Sequence, residues 1–277
     1  MKYRSLLIGI LLFVTIFWIV GYYTGFNQSK IRGVTIVELN NSNKHMVFYG
    51  SRHCNDKNDP IFKDIEKWFY KLNPQIVLVE GYYDTKNYID ADNAIQKGEM
   101  AYVSYLAQKN NVKLGSVEPS MEEQYEYLLG KYDREKVLAM YVLRQLNQYQ
   151  KQQGNRPMSF PEVLEEYIVG LSKSGFPVEE EECNIAFIQK LLNPYLKEEL
   201  NENNWTQVDA YSIVYNKGTD INEIYQEIYV LRNESLKAVI RENLKQYDRV
   251  FVMMGSQHVL DEKEHVKEVF ENITNEK

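Results

Sequence analysis

Histidine is scarce in this 277-residue chain, with four in all, and cysteine is scarcer, with two. Cys54 and Cys183 cannot build a disulfide framework, and their spacing does not suggest a structural zinc site; a single bond between them stays open in an oxidising compartment. Basic clusters are missing as well. The net charge is −7, the Lys and Arg residues are scattered, and the 22 tyrosines are not interleaved with them. That pattern lacks the electrostatic footprint of a nucleic-acid binder, so nucleic acid is not expected as a partner. Alanine does not occur before Ala91, so the N-terminal region carries no small-x-small cleavage site, and no cysteine lies near enough for lipid attachment. Repeats of solenoid period are absent.

What the N-terminal region does have is an apolar run. From Ser5 to Phe26 no residue is charged, and a helix over that stretch spans roughly 33 Å, enough for a bilayer core. It predicts an uncleaved single-pass anchor over residues 1–29. Lys2 and Arg4 precede the run while Lys30 and Arg32 follow it, a slight bias that places the short tail in the cytoplasm and the main body outside the cytoplasm, at the cell membrane. Residues 30–277 suffice for one domain with an insertion.

Two apolar runs, "VTIVEL" and "HMVFYG", flank the turn-rich "NNSNK" and predict a hairpin. In "IFKDIEKWFYKL", Ile61, Ile65, Trp68 and Leu72 recur at helical spacing, and the wholly apolar "QIVLVEG" that follows reads as a buried strand. A strand, a crossover helix and a second strand make a βαβ unit. The pattern recurs with the helical "EMAYVSYLAQKNN" and the strand "VKLGSVEPS". From about 121 to 217 the chain reads as an inserted helical region, within which the acidic run Glu179–Glu182 reads as a solvated connector. A long helix near Asn222–Tyr247 then leads into a fourth strand, "RVFVMMG". The expected fold is α/β, with a largely parallel central sheet, flanking helices and a helical insertion.

If those four strands are parallel, His53, Glu80, Glu118 and His258 follow them at one edge of the sheet, where open α/β sheets bind ligands. The two histidines end matching segments, "VFYGSRH" and "VMMGSQH". Arg232 shares a helical track with Tyr225, Tyr229, Leu236 and Val239, and a buried guanidinium needs a carboxylate or an anion. Glu99 lies on the packing track of its helix. Each residue alone has an ordinary reading: a loop salt bridge for Glu80, a structural ion pair for Arg232, a turn residue for Glu118, a helix-dipole partner for Glu99. Their convergence is the stronger signal. Cys54 adjoins His53, but sequence neighbours in an extended chain point to opposite sides, which leaves a cysteine hydrolase as a minor alternative.

The segments "VFYGSRH", "VLVEG", "KGEMAYVSYLA", "VKLGSVEPS", "LRNESLKAVIRENL" and "VFVMMGSQHVL", in that order, resemble the TraB/PrgY/GumN/Tiki group, a more distant relative of erythromycin esterases and the ChaN-like fold. The resemblance runs from about Val34 to the end and implies a membrane-associated, metal-dependent peptidase, some relatives being pheromone-inhibiting or adhesion factors. It gives His53, Glu80, Arg232 and His258 the functional positions, with Glu99 and Glu118 beside them. The arginine and cysteine of "GSRHCND" depart from that pattern.

Neutral imidazoles and carboxylates are usual ligands for manganese, cobalt or zinc, so His53, His258 and Glu80 are the expected ligands, with Glu80 alternatively a general base and Arg232 an oxyanion or carboxylate partner. A metal-free, esterase-like hydrolase would use the same residues, with a histidine as base. A protein that captures a peptide or pheromone without cleaving it would use the same edge.

Overall fold

A computed structural model describes residues 31–41, 43–81, 88–152, 159–173, 175–182 and 184–275. The proposed anchor at 5–26 and Cys183 lie outside them. Among the described residues no helix is long and apolar enough to cross a membrane. The chain divides into two units: one joins the residues up to Glu118 with those from Asn233 onward, and the other is Pro119–Arg232. The helical region is therefore longer than the sequence pattern indicates.

The first unit is built on five strands, β1 (Thr35–Asn40), β2 (His45–Ser51), β3 (Ile76–Val79), β4 (Lys113–Ser116) and β5 (Arg249–Gly255), in the order β1-β2-β5-β3-β4. The four strands expected to be parallel are so, and β1 alone runs antiparallel to its neighbour. The linker at 41–44 is too short for a crossover and can only reverse the chain. Both faces of the sheet are apolar because both are covered. Val47 and Tyr49 of β2, with Phe251 and Met253 of β5, pack under α1 (Pro60–Leu72), α2 (Ala91–Gln96) and α3 (Glu99–Lys109). Met46 and Phe48, with Val250, Val252 and Met254, pack on the opposite face against two C-terminal helices.

Helix α1 shows how local signals set the frame. Asp59 caps it by accepting the Ile61 N–H, Pro60 fixes its first residue, and Asn73, in the left-handed region at φ 49°, ends it. Ile61, Phe62, Ile65, Trp68, Phe69 and Leu72 are buried along one side, each stabilising the fold by about 1.5–3 kcal/mol.

The second unit is helical: α4 (Met121–Leu129), α5 (Arg134–Gln152), α6 (Phe160–Lys173), α7 (Ile185–Leu192), α8 (Ala210–Tyr215) and the first half of α9 (Asp220–Gln246). α5 is apolar on every side from Val137 to Leu143 and forms the centre of this unit's core. The acidic run is only partly the solvated connector expected. Glu182 pairs with Arg134, whose hydrogen bond holds its carboxyl below the usual carboxylate range.

The second half of α9 belongs to the first unit, as does α10 (Ser256–Asn275). The buried line along α9 is Ile221, Ile224, Ile228, Arg232, Leu236, Ile240 and Leu244. Tyr225, Tyr229 and Val239, expected on that line, flank it and are half-buried.

Candidate functional site

β5 is last in sequence but central in the sheet, between β2 and β3. That order brings the ends of three strands together: Ser51 pairs with Gly255, Val79 pairs with Met253, and the Glu80 N–H donates to the Met253 carbonyl at 3.0 Å. The chain leaves β2 and β3 toward the α1–α3 face, and leaves β5 toward α10 on the other. In open α/β sheets such a divergence marks the carboxyl edge as the place where ligands bind.

Gly255 lies at the centre of what projects there. A Cβ at this position would be 3.4 Å from Glu80 Oε2, 3.5 Å from His53 Nε2 and 3.9 Å from His258 Cδ2. Glu80 Oε2 accepts the Gly255 N–H at 2.6 Å, and Glu80 Oε1 faces His258 Nε2 at 3.9 Å. The other nitrogen of that ring, Nδ1, is 3.4 Å from Asn233 Oδ1. The Glu80 and His258 side chains are 18% and 13% exposed, whereas His53 is exposed at the rim. The structure thus brings together the three residues expected to form the site.

The matching Gly-Ser-x-His segments fold differently. His258 sits in the first turn of α10, directly after its strand. His53 lies in a loop with φ 64°, in the left-handed region. Where β2 meets the start of α10, a Cβ on Gly50 would be 2.8 Å from Ser256 Cα and 3.1 Å from Val259 Cγ2, so only glycine fits. Ser256 Oγ is 2.8 Å from Thr35 Oγ1, which ties α10 to β1. Ser51, by contrast, is 1% exposed, and among the described residues its hydroxyl has no hydrogen-bond partner.

Glu99 is 2% exposed and accepts the Arg52 N–H at 3.3 Å, so it supports the backbone behind His53. Glu118 follows β4, two strands from β5, and its N–H donates to Ser116 Oγ at 3.0 Å in a turn. Arg232 is the last residue of the second unit and is buried there, at 6% exposure. Cys54 is half-buried; burial pushes its thiol up, and Asp59 adds to this. A raised thiol carries little thiolate, which counts against a cysteine nucleophile.

Asn233 is the site residue that the sequence pattern passes over. Its signal is its place on the inner side of α9, one residue after Arg232, where a 6%-exposed amide needs a polar partner.

By donor type, two imidazoles and a carboxylate suit a divalent ion. As placed, they do not form a ligand set: among the described residues no three His, Cys, Asp or Glu side chains are grouped to hold a metal ion. No protein-family model, curated protein or solved structure matches the chain.

Proposed function

We propose that the chain is a hydrolase whose reaction centre is the group around Gly255, held at a membrane by the 5–26 segment and acting outside the cytoplasm. The supporting observation is the convergence of His53, Glu80 and His258, from three strand ends, on one point. Three separate strand ends seldom aim two imidazoles and a carboxylate at one glycine for stability alone. The family resemblance supplies the substrate class, a peptide or protein.

In this proposal Asn233 Oδ1 accepts the Nδ1 proton of His258, leaving the Nε2 lone pair to take a proton from the attacking water. Glu80 Oε1, 3.9 Å away, stabilises the imidazolium that forms. His53 Nε2, 3.5 Å from the same Cβ position on Gly255, protonates the leaving amine. General acid–base help of this kind accelerates a reaction by roughly 10²–10⁴-fold. The divalent ion that the resemblance implies has no ligand set in these three side chains as they are placed, and no step of this proposal depends on one.

The test is cleavage of a peptide library by the full chain in detergent, with and without a chelator. His53→Ala and His258→Ala should each abolish cleavage, and the double variant should be no worse than either, because members of one reaction centre act as a unit. Loss of cleavage with chelator would establish the metal-dependent form; retention would establish the metal-free one. A wild-type protein that binds peptides but cleaves none, even with manganese, cobalt or zinc added, would overturn the hydrolase and leave capture.

A further inference from the structure

His53 is in the left-handed region, where a residue with a side chain is uncommon and persists when its surroundings over-determine it. The surroundings here are specific. The Arg52 N–H is held by Glu99 Oε1 at 3.3 Å, from within the protein. On the solvent side, the Arg52 guanidinium pairs with the Asp59 carboxylate and donates to the Arg32 carbonyl at 3.1 Å. Its stem lies against Gly33, where a Cβ would be 3.5 Å from Arg52 Cβ and Cδ. Asp59 in turn caps α1 through the Ile61 N–H, at 2.9 Å. The short His53 turn is therefore fixed through Arg52 to other elements: to the 31–33 segment, to α3 and to the cap of α1.

We propose that Arg52 and Asp59 are positioning residues: their ion pair, with Glu99 behind it, holds the left-handed backbone of His53 and so aims its imidazole at Gly255. This deepens the hydrolase reading, on which only its consequence for turnover rests. The competing account is an ordinary surface ion pair, since the two side chains are 32% and 17% exposed, and such pairs contribute little.

Four histidines make the question tractable by NMR of the full chain in detergent, with the histidine rings labelled with carbon-13 and His53→Ala assigning one signal. Asp59→Asn removes the charge pair and keeps a side chain that caps a helix equally well. In Asp59→Asn and Arg52→Ala the His53 ring signal should move, while those of His45 and His265 stay in place and the protein stays folded. Turnover of a library peptide should fall about tenfold at unchanged KM, as misplaced groups cause. Arg52→Lys should restore most of both. If Arg52→Ala does not fold, Arg52→Gln keeps the stem against Gly33 and tests the same charge. A His53 signal unmoved in the folded Asp59→Asn and Arg52→Gln proteins would overturn the proposal and leave the hydrolase untouched. A moved signal in a protein that hydrolyses nothing would uphold the clamp and overturn the hydrolase.

Discussion

Gly255 separates stability from chemistry at a single residue. An added methyl would meet Glu80, His53 and His258 at ordinary contact distances, 3.4 to 3.9 Å, and would occupy the space between them. Gly255→Ala should therefore cost no more than about 1 kcal/mol and abolish cleavage, measured by thermal melting beside the peptide assay. Asp59 offers a pH test. Burial alone would raise its carboxyl, but the Ile61 N–H, the Cys54 thiol and Arg52 outweigh this and hold it below the usual value. A carboxyl depressed in the folded state stabilises above its unfolded value, about pH 4, and that contribution is lost as the pH falls through the folded value. Wild type should be more stable than Asp59→Asn at neutral pH, with the gap closing below about pH 4 in denaturation series. Glu80, His53 and His258 are legible in the sequence because each closely follows an apolar run and a strand end fixes where it emerges. Asn233 is not, since its role depends on a ring that approaches from 25 residues away.

At the scale of elements, β2 and α10 meet so closely that Gly50 is indispensable. The obstructing atom is the Ser256 backbone at 2.8 Å, which no rotamer change can relieve. Gly50→Ala should destabilise the fold by about 1–3 kcal/mol in chemical denaturation, in contrast with Gly255→Ala. The strands and the hairpin are legible because apolar runs of strand length, bounded by turn residues, have few other ways to fold. Sheet order is less so: nothing local in "RVFVMMG" says that the last strand inserts between β2 and β3. The pairing of Glu182 with Arg134 was hidden for a similar reason, because a charge run reads as solvated until a distant partner is placed. The two Gly-Ser-x-His segments make the same point in reverse, since identical spacing produced a helix turn in one and a left-handed loop in the other.

At the scale of the molecule, the cores are separate. One apolar cluster lies wholly within Pro119–Arg232, and two others cover the faces of the sheet. On the anchor reading the 5–26 segment is no part of the core, so deleting residues 1–26 should leave a folded protein that stays in solution, read by circular dichroism and sedimentation. β1 runs against the rest of the sheet, with Thr35 opposite Gly50, so the polypeptide enters the fold at the edge bearing His53, Glu80 and His258. On the anchor reading, residues 27–30 alone separate the bilayer from the turn at 31–33, a leash of at most roughly 14 Å. The group around Gly255 is then tethered to the lipid surface, and substrates sharing that surface meet it at high effective concentration. Lengthening the leash with Gly-Ser repeats after Asn27 should slow cleavage of a lipid-tethered peptide in vesicles and leave a freely diffusing peptide unaffected.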